Sequence, residues 1–126
     1  MEEPPMPETK TKTRTITLSN RRPVKIVESD WPVIAKGSWC DTPALPVQAN
    51  RSALVRVRQH ADGRSIVYGT YDTELRGDSG DSGRKSGLLL DAGADIAAAI
   101  YKVVADLGVT ATMAAECVAD LPAEEL

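Results

Sequence analysis

The stretch that most constrains the fold is VRVRQHADGRSIVYG, residues 55–69, in which two alternating runs flank Asp62-Gly63. Alternation with a period of two is typical of a β-strand that has one buried face. Asp-Gly between two such runs is a strong hairpin signal, because a two-residue type I′ turn requires positive φ at both central residues. The stretch therefore predicts two antiparallel strands joined at Asp62-Gly63.

A two-residue turn would also fix the register of this hairpin. Ala61 would lie opposite Arg64, Gln59 opposite Ile66, Val57 opposite Tyr68, and Val55 opposite Thr70. One face would then carry Val55, Val57, Ile66 and Tyr68, and the other would carry Arg56, Arg58, His60 and Val67. We expect the first face to be buried and the second to be exposed.

The segments before this hairpin predict a second hairpin and a short helix. RTITLS (14–19) and VKIV (24–27) alternate and are separated by a polar turn that ends in Pro23. In ESDWPVIAKG (28–37), Ser29 or Asp30 can cap a helix whose first turn contains Pro32 and which ends at Gly37.

The C-terminal third predicts two helices. In DAGADIAAAIYKVVADLG (91–108) the apolar residues follow the 3.6-residue period, Asp91 can cap, and Gly108 can end the helix. We expect helices at about 92–107 and 111–121.

Together these elements predict an α+β fold with the order ββαββαα. Two hairpins form a four-stranded, mainly antiparallel sheet, and the two C-terminal helices pack on one face of it. Residues 1–12 are expected to be a disordered tail, and residues 13–126 a single domain with flexible loops at 40–51 and 76–87. The predicted core consists of Ile16, Leu18, Val24, Ile26, Ile34, Val55, Val57, Ile66, Tyr68, Ile96, Ile100, Val103, Val104 and Leu107.

The 126-residue chain has a net charge of only −3, but its charges are segregated along the sequence. Residues 10–64 contain eleven Lys or Arg and four Asp or Glu, whereas residues 91–126 contain one and seven. Such asymmetry is typical of a polyanion-binding face, and equally of two halves of one domain that attract each other.

Several function classes find little support in the sequence. No apolar run approaches the roughly 20 residues of a membrane span, and the acidic, Pro-rich N-terminus is no secretory signal, so we expect a cytoplasmic protein. Cys40 and Cys117 are expected to be free thiols, and no metal or cofactor site is predicted. GDSGDSG (77–83) contains the GDSG string of trypsin-like proteases without the histidine and acid that this chemistry needs nearby.

The basic face of the central hairpin is the candidate functional site. We predict partner binding by Arg56, Arg58, His60 and Arg64, extended by Arg21, Arg22 and Lys25. A non-enzymatic protein that binds a macromolecule is the favoured interpretation, and a nucleic-acid-binding factor is the alternative. A small nuclease or hydrolase centred on His60 is the least favoured, because a second histidine and clustered carboxylates are missing. The same residues could also be only a solvated surface.

Several stretches together resemble small accessory proteins of proteobacterial plasmids, prophages and integrative elements. They are RRPVKI (21–26), WPVIA (31–35), VRVRQHADGR (55–64), VYG (67–69), DAGAD (91–95) and CVADLPAEEL (117–126). The resemblance implies a mobile-element accessory protein without an established activity. In the favoured interpretation its partner is a host or element protein or nucleoprotein complex, and a counter-defence inhibitor is a special case. No functional residue carries over from the resemblance.

Overall fold

A computed structural model describes residues 12–40, 51–73 and 84–122. The elements in chain order are β1 (Thr13–Thr17), β2 (Pro23–Val27), a 3-10 turn (Glu28–Asp30), β3 (Val33–Cys40), β4 (Arg51–Gln59), β5 (Ser65–Thr73), β6 (Arg84–Leu90), α1 (Ile96–Leu107) and α2 (Ala111–Asp120).

These elements form three layers. The middle layer is an antiparallel sheet with the strand order β3-β4-β5-β6, and α1 and α2 pack on one of its faces. β1 and β2 form a separate two-stranded antiparallel sheet that packs on the opposite face. The predicted α+β class is therefore confirmed, with its four-stranded antiparallel sheet and its two C-terminal helices on one face.

The membership of the four-stranded sheet differs from the prediction. The predicted first hairpin exists but stays outside this sheet, whose outer strands are β3 and β6. The short helix is limited to the 3-10 turn, because Trp31 precedes Pro32 and leaves the helical region with φ −129° and ψ 66°. The predicted loop 76–87 is wrong from Arg84 onwards, where β6 begins, while residues 74–83 and 41–50 and the tail 1–11 lie outside the described residues.

Gly37 has a different role from the predicted helix end. It lies in β3 where the α2 backbone passes close by, and a Cβ at this position would lie 2.6 Å from the Met113 carbonyl oxygen. Next to it, the Lys36 backbone N–H points to the outer edge of β3 and donates to Asp120 Oδ2 over 3.0 Å. On the other side of the sheet, Ser19 donates its backbone N–H and its hydroxyl to the Gly87 carbonyl of β6.

The turn between β4 and β5 has three residues, so the predicted two-residue turn is wrong. His60 pairs with Arg64 through its N–H, and its carbonyl accepts from Gly63 N–H, each over 2.9 Å. Gly63 has φ +95°, which fits a type I turn followed by a left-handed residue. Val57 therefore lies opposite Val67 and not opposite Tyr68. This one-residue shift moves the β5 side chains to the opposite faces.

As a result, β5 is buried on both faces. The core on the helix side contains Val55, Val57, Val67, Tyr71, Ile100, Val103, Val104, Leu107, Met113 and Cys117. The core under the two-stranded sheet contains Ile16, Leu18, Ile26, Trp31, Ile66 and Tyr68. All predicted core residues are buried except Val24, Ile34 and Ile96, which are half-buried.

The helix ends follow ordinary capping chemistry. Asp95, and not the predicted Asp91, caps α1 by accepting a hydrogen bond from Ala98 N–H. Gly108 ends α1 as predicted, in the left-handed region with φ 74°. Cys40 and Cys117 are free thiols, as predicted, and burial raises the pKa of Cys117 to about 11.

The register predicts the response to a nearly isosteric change. Val67→Thr should lower the free energy of unfolding by about 1–3 kcal/mol, because it places a hydroxyl among apolar side chains. Thr70→Val, on the half-exposed face of the same strand, should change stability by no more than about 0.5 kcal/mol. Urea unfolding checks both values. If Val67→Thr were as stable as the wild type, Val67 would face solvent and the two-residue turn would be right.

Candidate functional site

Arg58, which the sequence places on an exposed face, is buried between the middle sheet and the two-stranded sheet. Its Nε donates to the Tyr68 hydroxyl over 2.8 Å, and its Nη1 donates to the Trp31 carbonyl over 3.0 Å. Its Nη2 lies 3.7 Å from Glu28 Oε1. These contacts cover the guanidinium group, so Arg58 holds the layers together and is not available to a partner.

Glu28 connects Arg58 to β1. Its carboxylate accepts a hydrogen bond from Arg14 Nε over 2.7 Å. This hydrogen bond, with the nearby charges of Arg14 and Arg58, holds the pKa of Glu28 below its usual range despite partial burial. The three side chains form an ion network at one end of the two-stranded sheet, where they fix its position on the middle sheet.

The tip of the β4–β5 hairpin brings two of the other predicted residues, His60 and Arg64, to Trp31. The His60 ring lies 5.0 Å from the Trp31 ring, and Arg64 Cζ lies 5.2 Å from the same ring. Arg64 also contacts Asp62 over 2.7 Å. The Arg64 backbone N–H, and then its side chain, lower the pKa of the Asp62 carboxyl. The tip is therefore a compact, internally paired group.

His60 is engaged within this group. Its Nδ1 accepts the Asp62 backbone N–H over 3.2 Å and lies 3.1 Å from Asp62 Oδ1. No group of three or more His, Cys, Asp or Glu within the described ranges could hold a metal ion. These contacts show that His60 stabilises the turn and packs on Trp31.

Arg21, Arg22 and Lys25 are exposed on the two-stranded sheet, away from the hairpin tip. Arg21 and Arg22 lie in the β1–β2 turn, where Arg21 has φ +64°, and Lys25 lies on β2. The structure therefore does not bring the predicted site residues together on one surface. They separate into a buried arginine, the hairpin tip, the two-stranded sheet and Arg56.

Arg56 belongs to a part of the middle sheet that the two-stranded sheet leaves uncovered. Arg56 lies directly opposite Lys36 of β3, so the two side chains share a face. In the next row Leu54 lies opposite Ser38 on one side and Thr70 on the other, and Thr70 lies opposite Lys85 of β6. We call this surface the outer shelf; it consists of Lys36, Ser38, Leu54, Arg56, Thr70 and Lys85.

The side chains of the three outer-shelf cations are not paired with a described acidic residue, although the Asp120 carboxylate accepts the Lys36 backbone N–H. Among the residues that the structure describes, the side chains of Lys36, Arg56 and Lys85 make no ion pair. Like charges directly opposite each other on adjacent strands are destabilising. The Lys36–Arg56 pair is therefore held close by the backbone register and not by any attraction between the side chains.

Sequence reasoning missed two of these three cations. Lys36 lies in the segment that predicted a helix, and Lys85 lies in the segment that predicted a loop. The available signal was the alternation of Ala35, Gly37 and Trp39, which all face the helices and leave Lys36 and Ser38 on the other side. The prolines and glycines near this segment obscured that pattern.

Charge is also segregated between the layers. Among the described residues, the segment from Asp91 to Pro122 that forms the helical layer has five acids and one base, Lys102. The segment from Lys12 to Asp30, which contains the two-stranded sheet, has five bases and two acids. The segregation seen along the sequence thus becomes a separation across the molecule, with the outer shelf on its basic side.

Arg56 and Arg58 make a matched pair for testing the buried network. Arg58→Gln should cost about 2–4 kcal/mol of unfolding free energy, because it leaves the Tyr68 hydroxyl and the Trp31 carbonyl without their charged donor. Arg56→Gln should change the free energy of unfolding by no more than about 0.5 kcal/mol, and any change should be an increase, because the substitution removes a charge opposite Lys36. Denaturant midpoints measure both. Equal effects of the two substitutions would contradict the burial of Arg58.

The lowered pKa of Glu28 predicts an acid-dependent stability term. Its folded pKa is depressed, so its contribution is full above the unfolded value of about 4.3 and is lost as pH falls through the folded pKa. The stability difference between wild type and Glu28→Gln should therefore be constant above about pH 5 and shrink below about pH 4. Asp30→Asn is the control at an exposed acid nearby. An unchanged Glu28→Gln difference at low pH would contradict the network.

No protein-family model, curated protein or solved structure matches this chain. Within the part of the chain that the structure describes, neither helix is long and apolar enough to cross a membrane. A function for this chain is therefore inferred from the geometry and charges of its own residues.

Proposed function

We propose that this chain is a non-enzymatic binding protein whose outer shelf engages an acidic surface of a protein or nucleoprotein partner. The observation that carries the proposal is the position of Lys36 directly opposite Arg56, with Lys85 on the same face and no ion pair from these side chains to a described residue. An acidic ligand would turn this unfavourable like-charge contact into a favourable one.

The outer shelf suits binding because its backbone is held in place. Its residues come from all four strands of the middle sheet, which the helices support from behind. Strand residues in a packed sheet lose little backbone freedom on binding, so less of the interaction energy is lost to ordering. Arg56 offers a planar set of donors for a carboxylate or phosphate, whereas Lys36 and Lys85 act as point charges.

The charge of the whole molecule favours an acidic protein surface over naked DNA. The net charge is −3, and the helical layer behind the sheet is acidic. A long polyanion that extends past the outer shelf would meet this negative field, whereas a compact acidic patch would not. The partner is thus a protein, or a protein within a nucleoprotein complex.

Nucleic-acid binding is the second candidate, and a separate observation favours it. Arg21, Arg22 and Lys25 are exposed on the two-stranded sheet and make no side-chain ion pair with a described residue. They would add a second group of phosphate contacts to those of the outer shelf. The accessory role in a mobile element and the counter-defence role stay predictions that follow from the resemblance.

Two defined polyanions test the proposal. The wild type should bind fluorescent poly-glutamate. The triple variant Lys36→Gln/Arg56→Gln/Lys85→Gln should bind at least about tenfold more weakly, because it loses three charge-assisted contacts and one such contact contributes up to about 1.5–3 kcal/mol. Lys85→Gln alone should weaken binding, whereas Lys102→Gln on the helical layer should not. Fluorescence anisotropy at several salt concentrations measures these affinities.

Duplex DNA in the same assay separates the two candidates. If DNA were the ligand, the salt slope would be about 0.9 for each phosphate contacted and would fall in Arg21→Gln/Arg22→Gln. If the shelf variants bind poly-glutamate as tightly as the wild type does, the outer shelf is only a solvated surface and the proposal is wrong.

A further inference from the structure

The edge of β1 that faces away from β2 has backbone groups that β2 does not bond. Leu18 N–H donates to the Arg22 carbonyl, and the Lys12 carbonyl accepts from Glu28 N–H, so even-numbered residues of this strand point towards β2. Residues alternate in direction along an antiparallel strand. The N–H and C=O groups of Thr13, Thr15 and Thr17 therefore point the other way, and β1 pairs only with β2 among the described strands. At Thr17 this edge already meets β6, because the Thr17 carbonyl oxygen lies close to Gly87, so the open part of the edge is Thr13 to Thr15.

This free edge borders the outer shelf. A cleft lies between β1, from Arg14 to Thr17, and the middle sheet at Tyr68, Gly69, Thr70 and Lys85. Thr70 and Lys85 belong to the outer shelf, so the edge of one sheet and the uncovered face of the other meet at a corner. With a volume of about 150 Å³, the cleft admits side chains of an extended strand but not a helix about 10 Å across.

We propose that an extended, acidic peptide segment of the partner pairs with the free edge of β1 and lies across the outer shelf. This inference rests on the proposed function and names the partner's form. The segment would become a third strand of the two-stranded sheet, with its backbone bonded to Thr13 and Thr15. Its alternate side chains would face the middle sheet, where carboxylates meet Arg56 and Lys85.

Two features of this corner favour such a partner. Strand addition takes its affinity from main-chain hydrogen bonds and its specificity from alternate side chains. The backbone groups of β1 supply the main-chain hydrogen bonds. The outer shelf supplies the specificity, because Leu54 and Thr70 lie between its cations. A two-stranded sheet is also only marginally stable by itself, so a third strand would stabilise the sheet that β1 and β2 form.

Charge argues against a second copy of this chain as the occupant. Two copies joined through their β1 edges would place two basic segments side by side, because Lys12 to Asp30 contains five bases and two acids. Like-charge contacts between partners are costly, so they disfavour the pairing. An acidic segment would meet these cations with the opposite sign.

A peptide probe with a blocked backbone tests the inference. The probe is a synthetic peptide of about eight residues that alternates Glu and Val, a typical strand length. The two controls have the same sequence with N-methyl groups on one or the other set of alternate amides, so each loses the donors on one edge and keeps the charge. We expect the N-methylated peptide with the paired edge blocked to bind at least about tenfold more weakly.

Thr15 offers a matched pair of protein variants. Thr15→Pro removes the outward N–H, which β2 does not use, and proline is tolerated on the free side of an edge strand. Thr15→Val keeps the N–H and the strand preference. We expect Thr15→Pro to weaken peptide binding at least about tenfold and Thr15→Val to leave it unchanged, with circular dichroism and the thermal midpoint as folding checks. If Thr15→Pro does not fold, the N-methylated peptides decide.

The outcomes separate this inference from the proposed function. If the shelf variants weaken binding but Thr15→Pro and N-methylation do not, strand addition is wrong and the charged shelf remains. If none of these changes matters, both are wrong. If the wild type is a dimer that Thr15→Pro converts to a monomer, a second copy occupies the edge and the inference is overturned. Binding of DNA in place of the peptide would overturn it as well.

Discussion

The left-handed conformation of Gly63 sets the relation between β4 and β5, and the three layers depend on it. A loop of three residues directs Val67 and Tyr71 to the helices and Ile66 and Tyr68 to the two-stranded sheet. A loop of two residues would exchange these sets. β5 carries bulky apolar residues at consecutive positions, which suits a strand buried on both sides. The second face of the sheet then needs a cover, and β1 and β2 provide it.

That cover accounts for the different roles of Arg56 and Arg58. The two residues are two positions apart on the same face of the same strand, but only Arg58 lies under the two-stranded sheet. There it gains the Tyr68 hydroxyl, the Trp31 carbonyl and the carboxylate of Glu28. Arg56 lies beyond the cover beside Lys36. One arginine therefore stabilises the fold, and the other, two residues away, stays partly exposed.

Local patterns predicted the elements whose signals lie within a few residues. The 3.6-residue spacing of Ile96 to Leu107 and the alternation in β1 and β2 gave correct helices and strands. The turn at Asp62-Gly63 failed because the same dipeptide fits both a two-residue and a three-residue loop. The prediction for β3 failed because the glycine at position 37 is required by the close approach of the α2 backbone, and α2 is distant in sequence. The prediction of the site failed for the same reason. A distant segment decides, by covering the strand or leaving it uncovered, whether Arg56, Arg58 or Lys85 is exposed.

The hydrogen bond from Lys36 N–H to Asp120 limits how this molecule can assemble. It closes part of the outer edge of β3 with a side chain from α2, and Ser19 does the same for β6 at Gly87. An open filament of sheets needs two accessible, complementary edges on every subunit, and an edge that is blocked by a side chain cannot pass the pairing on. Both outer edges of the middle sheet are thus interrupted, β3 at Lys36 and β6 at Gly87. Neither outer edge of the middle sheet therefore offers an unbroken row of backbone groups to a strand of another molecule.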